Sequence, residues 1–133
     1  MATATKVTLT GYTHVAISVT DLEAARAFYI DGLGFEELPR PNFGVDGMWL
    51  RVGSHQLHFG VVDEMPPKGP GFPHFALHVP REEYDATIDA LRERGIEVVI
   101  GPNQREDFGV LVRAAFIADP SGNMIELTDV PPF

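Results

Sequence analysis

Two strand-like patterns, "THVAISV" and "PHFALHV", carry histidines 60 residues apart, His14 and His74. Each pattern is succeeded by a similar helix. "LEAARAFY" places Leu22, Ala25, Phe28 and Tyr29 on one helical stripe, and "EEYDATIDALRERG" does the same with Tyr84, Ile88 and Leu91. Each helix runs into a glycine, Gly32 or Gly34 in the first case and Gly95 in the second. Short alternating segments come next: "GMWLRVG" and "HQLHFGV" in the first half, "EVVIG", "VLVRAAFIA" and "NMIELTDV" in the second. An internal repeat of this size is the strongest constraint on the fold. Each half is too small to bury both faces of its own sheet, so the halves must fold as one unit.

The expected fold class is therefore α+β: two tandem modules, each a strand, a helix and then two or three strands, form a cupped mixed sheet with helices on the outer face. Module one covers about residues 11–62 and module two about 74–130. The Pro/Gly-rich stretch 63–73, "DEMPPKGPGFP", is the joint. All 133 residues are read as a single domain. Asp21 is the expected N-cap of the first helix, and "GS" at 53–54 the expected hairpin turn. "DPSG" at 119–122 reads as a type I turn.

The parity of four strands carries the functional reading. His14 alternates with Val15, Ile17 and Val19, and His74 with Phe75, Leu77 and Val79. His58 lies opposite Leu57 and Phe59, and Glu126 opposite Ile125 and Leu127. The apolar faces take the helices. The other faces then collect three imidazoles, a carboxylate and small residues such as Ala16, Ser18, Gly60 and Ala76. One strand histidine is ordinarily just a satisfied residue, but four metal-capable groups at matched parity point to a divalent ion such as Zn, Ni, Fe, Co or Mn. His55 falls on the helix-side parity beside a turn and is expected to be exposed. His78 shares the parity of His74 two residues on and is expected to line the cavity without touching metal.

Phe43, Trp49, Phe72 and Phe108 are candidates for an apolar substrate wall, although core packing is the commoner use of such residues. Arg51, Arg105 and Arg113 are weaker candidates for gripping an anion. The glycines of "NFGVDG" and "EDFGV" mark turns, since no nucleotide-binding fingerprint comes after a strand.

Composition bounds the partners. Asp plus Glu number 19 against 10 Lys plus Arg, a formal charge of −9, which disfavours nucleic acid and anionic membrane. The absence of cysteine removes thiolate sites and disulfides. No signal-like or membrane-spanning run is visible, so a cytoplasmic protein with a small-molecule substrate is expected.

With "THVAISVTDLEAARAFYIDGLGFE", "WLRVGSHQLHFG", "PHFALHV" and "DPSGNMIEL" the chain resembles the vicinal oxygen chelate superfamily across about residues 11–130. That superfamily includes glyoxalase I, fosfomycin-resistance proteins, extradiol dioxygenases, methylmalonyl-CoA epimerase and bleomycin-resistance proteins. The resemblance implies two βαβββ modules cupped around a divalent metal held by His14, His74 and Glu126, the commonest ligand trio, with His58 at a fourth position where members vary. It also implies that Glu126 doubles as ligand and catalytic base, and that the chain pairs as a homodimer. His58 is either a fourth ligand or a free base. A histidine there departs from the two-glutamate pattern of glyoxalase I, and the fosfomycin reading ranks low because no basic segment comes after "IELTD". Three functions are implied, in this order: a metal-dependent lyase or isomerase on a substrate with vicinal oxygens, an extradiol-type ring-cleaving dioxygenase, and a non-catalytic drug-binding resistance protein.

Overall fold

A computed structural model describes residues 5–107 and 109–131. Strand β1 (His14–Val19) leads into α1 (Leu22–Arg26), and β2 (Glu36–Leu38), β3 (Gly47–Val52) and β4 (His55–Val61) complete the first module. The second repeats the order with β5 (His74–His78), α2 (Tyr84–Glu93), β6 (Val98–Asp107), β7 (Val110–Ala118) and β8 (Met124–Thr128). The two sheets have the same strand order, β1-β4-β3-β2 and β5-β8-β7-β6. In each, the first strand lies parallel to the last, and the other pairings are antiparallel. The expected α+β class with two βαβββ modules is what the chain adopts.

Local chemistry accounts for the elements. Asp21 caps α1, its carboxylate accepting from the Ala24 N–H at 3.1 Å. After Arg26 the helix widens into π turns over Ala27–Gly32 and ends where Gly34 takes φ +82°. The expected regular α-helix through Tyr29 is thus only five residues long before the π stretch begins. Gly95, at φ +77°, ends α2 as expected. Strand β6 is longer than "EVVIG" implied, continuing through 107 after two register shifts. The residues alone gave no sign of strand β2, because "EEL" is too short to alternate; only the resemblance implied a third strand there.

One core serves both modules. Val19, Tyr29, Met48, Leu50, Leu57 and Phe59 from the first pack with Tyr84, Ile88, Leu91, Ile117, Ile125 and Leu127 from the second. Beneath α2, Tyr84 donates to the Leu127 carbonyl at 2.7 Å, and the Arg113 guanidinium lies 4.5 Å over its ring. Arg113 also donates to Asp85 at 2.6 Å and to Asp129 at 3.3 Å, and its backbone N–H reaches Asp129 at 2.6 Å. Arg113 is therefore a structural tie rather than an anion grip. Arg51 likewise pairs with Glu36 at 3.4 Å.

Burial alone would raise the Asp129 carboxyl, but the Arg113 N–H and guanidinium outweigh it and hold the group below its usual 3.8. A depressed carboxyl contributes stability that is present above the unfolded value and is lost as pH falls through the folded one. Asp129→Asn should therefore cost about 1–3 kcal/mol near neutrality and flatten the stability loss below about pH 4. Urea midpoints measured at pH 7 and pH 3 check both expectations. Among the described residues no helix is long and apolar enough to cross a membrane.

Candidate metal centre

Register turns the strand parity into a geometry. In module one Ala16, His58 and Trp49 are neighbours across β1, β4 and β3. In module two Ala76, Glu126 and Phe116 hold the same places across β5, β8 and β7. His14 and His74 each precede that small residue by two positions, on the same face. Each module thus presents two ligand-type side chains beside one aromatic ring.

In module one the three rings form a ladder. His14 stacks on His58 with centroids 4.0 Å apart, and His58 stacks on Trp49 at 4.2 Å. His58 Nε2 lies 2.8 Å from Gln56 Oε1, and His14 Nδ1 lies 2.9 Å from Thr13 Oγ1. Burial first, then the charges of His14 and Arg40, lower the His58 pKa. The ring therefore stays neutral to lower pH than a free imidazole, and neutral imidazole is the form that coordinates.

In module two His74 Nδ1 lies 2.6 Å from the Gly71 carbonyl. A carbonyl only accepts, so Nδ1 carries the proton. Nε2 then faces Glu126 Oε1, 3.3 Å away, with the two side chains 22% and 13% exposed. A proton or a metal ion between the two atoms satisfies both. The spacing also matches adjacent ligands at about 2.1 Å from a metal, whose separation is about 3.0–3.4 Å for octahedral to tetrahedral angles. The carbonyl that fixes the outer nitrogen is the usual support of a ligating histidine. His74 and Glu126 therefore fit a divalent ion, and His14 and His58 are the chain's other two donors of that kind on the matching face.

The four residues do not gather within one chain. Among the described residues no three His, Cys, Asp or Glu side chains come together as a metal cluster. His14 and His74 border a common cavity of about 500 Å³, but neither His58 nor Glu126 lines it. A cavity of about 840 Å³ is lined by none of the four. Its walls, Leu33, Phe35, Leu91 and Leu127 among them, mark it as the seam between modules. His78 borders this seam. His55 is exposed as expected and borders both cavities.

The aromatics also need correction. Trp49 belongs to the ring ladder, Phe72 stacks on His74 at 5.3 Å, and Phe43 lies 6.1 Å from Trp49. Phe43 and Phe72 are 58% and 69% exposed. Phe72 flanks His74 and Phe43 flanks Trp49 instead of filling the core. Phe108 lies outside the described residues. Phe116, 5.2 Å from His74 and edge-on to it, was not expected here, although its strand alternation with Ala115 and Ile117 sets it on this face.

The family model for the Glyoxalase/Bleomycin resistance protein/Dioxygenase superfamily matches residues 11–127. A Synechocystis sp. protein named "Probable lactoylglutathione lyase" is 32% identical over 123 residues, covering 86% of this chain and 91% of that protein. The "Metallothiol transferase FosB" of Lysinibacillus sphaericus is 26% identical over 126 residues, covering 90% of this chain and 82% of its own length. Among solved structures, a glyoxalase family protein from Bacillus anthracis superposes with a TM-score of 0.77 at 29% identity, covering 93% of this chain and 98% of that one.

Proposed function

Because the chain belongs to the Glyoxalase/Bleomycin resistance protein/Dioxygenase superfamily, we propose that it is a divalent-metal-dependent lyase or isomerase of the glyoxalase type. Its substrate is a small molecule that offers two neighbouring oxygens to the metal. The observation that carries this reading is His74 Nε2 facing Glu126 Oε1 at 3.3 Å while Nδ1 is committed to the Gly71 carbonyl. The ion itself would be Zn, Ni, Fe, Co or Mn by the chemistry of the donor set.

The site works as a composite of two chains. Each module supplies half of the four donors, so the His74–Glu126 pair of one chain is completed by His14 and His58 of a second copy. A homodimer also covers the open ring face of module one. A divalent ion bound there would stabilise negative charge developing on the substrate oxygens. Glu126 is the base: a carboxylate beside the reacting carbon removes its proton and returns it at the neighbouring position. Phe116 and Phe72 flank the His74 ring beside it.

Protein purified without chelators should hold about one metal per chain, and His74→Ala should hold much less. A wild type that takes up no metal on reconstitution would overturn the proposal. Oxygen uptake with a catechol substrate by the iron form would move the reaction to the ring-cleaving class. His58→Ala is expected to lower metal affinity as much as His14→Ala does. Lost activity at unchanged affinity would make His58 a base instead.

A further inference from the structure

The ring ladder does not end at Trp49. Phe43 lies 6.1 Å from Trp49, and the Arg40 guanidinium sits 4.9 Å over the Phe43 ring. Arg40 reaches that place across two glycines paired in register, Gly47 and Gly60. A Cβ at Gly47 would stand 2.7 Å from Arg40 Cζ, so only glycine lets the guanidinium lie there. A Cβ at Gly60 would meet nothing within 4 Å, so the floor beside it is open. Module two fills the corresponding places with Ala114 and Thr128, both buried. Module one thus holds a cavity of about 650 Å³ lined by Arg40, Asn42, Asp46 and Gly60 among others, where the corresponding place in module two holds one of about 200 Å³ at Leu111, Arg113 and Asp129.

Arg40 is under-satisfied in that pocket. Nη1 donates to the Val45 carbonyl at 3.1 Å, but Nε is shielded from solvent with no hydrogen-bond partner. Asp46 borders the cavity, yet among the described residues Arg40 forms no ion pair with it or with any other carboxylate. In a chain with 19 acidic side chains and 10 basic ones, an arginine left without a carboxylate beside a ligand-bearing face needs a reason.

We propose that Arg40 binds an anionic group of the substrate, a carboxylate or a phosphoryl group, in the pocket floored by Gly47 and Gly60. This rests on the reading of the ring face as a wall of the substrate cavity. His58 and Gly60 are two strand positions apart, so the anion would sit about 7 Å from the ligand imidazole. The substrate then carries its metal-chelating oxygens at one end and a negative group at the other, with Trp49 and Phe43 against the carbon between them. Arginine suits both anions because its planar fork gives paired hydrogen bonds.

Trp49 is the only tryptophan, so its fluorescence reports this wall directly. The intact protein is titrated with acetate and, separately, methylphosphonate at constant ionic strength. A saturable change is expected with at least one, and the tighter of the two identifies the group. Arg40→Gln should weaken that binding at least about tenfold. Arg40→Lys should fall between, since it keeps the charge and loses the fork. Gly60→Leu, which fills the open floor with Arg40 intact, should block binding as well and stands in if Arg40→Gln misfolds. Metal content should be unchanged in all three variants, so failure of the metal reading shows separately as a metal-free wild type. No saturable response to either anion, or equal affinity in wild type, Arg40→Gln and Gly60→Leu, overturns the proposal.

Discussion

An equal mixture of His14→Ala and Glu126→Ala chains is expected to regain about a quarter of wild-type metal occupancy, although each variant alone holds almost none. A composite site requires this. A His14→Ala homodimer has two sites that each lack one imidazole. A Glu126→Ala homodimer has two that each lack the carboxylate. Either loss should lower affinity by at least about tenfold, since even an outer-shell partner of a ligand commonly contributes that much. In a mixed dimer one site carries both defects and the other carries neither. Random exchange makes about half the dimers mixed, and each has one intact site of two. Elemental analysis after subunit exchange, with mixing verified by differently tagged chains, gives the answer. If exchange occurs and occupancy stays near zero, each site is built by one chain, and His14 must reach His74 across the cavity that both border. The contrast is large because occupancy in one case is restored from almost nothing.

Subunit exchange probes the part of the site that sequence cannot reach. Period-two alternation made the faces of His14, His58, His74 and Glu126 legible, because a strand residue's face is fixed by its immediate neighbours. The repeat made the succession of strands and helices along the chain legible for the same local reason. Which module faces which is a property of packing and assembly, and no local pattern encodes it. Trp49 is a different case. It alternates with Met48 and Leu50, both fully buried, so parity already set it on the His58 face. The general tendency of large aromatics to sit in the core masked that available signal. Phe43, Phe72 and Arg40 lie outside the strands and carry no parity at all. Arg40 becomes visible only through the pairing of Gly47 with Gly60, which depends on the register of a hairpin.

Asp119→Ala is expected to destabilise the chain by about 3–4 kcal/mol, more than Asp129→Asn. "DPSG" reads as a turn, and a turn it is, with the Gly122 N–H donating to the Asp119 carbonyl at 2.9 Å. The side chain does more. Asp119 is 5% exposed, and its Oδ1 accepts the backbone N–H groups of Ser121 and Asn123 at 2.9 and 2.8 Å. Its Oδ2 accepts from the Asn123 side chain at 2.8 Å and from the Tyr29 hydroxyl at 2.7 Å. Tyr29 belongs to module one and is fully buried. Asn123 also donates to the Ser18 carbonyl at 2.8 Å, and Ser121 Oγ accepts the Thr20 N–H at 3.0 Å. The turn is thus a clasp between modules. Burial, then the Asp119 charge and hydrogen bond, push the Tyr29 hydroxyl far above its usual range, so it remains a donor at any pH the protein meets. Removing the carboxylate strands that hydroxyl in the core and leaves the two turn N–H groups without their acceptor. Tyr29→Phe removes one bond and leaves Asp119 its other three partners, so about 1–2 kcal/mol is expected. The double variant should cost less than the sum, because the Tyr29 hydroxyl has already lost its partner in Asp119→Ala. Urea denaturation followed by far-UV circular dichroism measures all three, and additive losses, or an Asp119→Ala midpoint near wild type, would contradict the clasp.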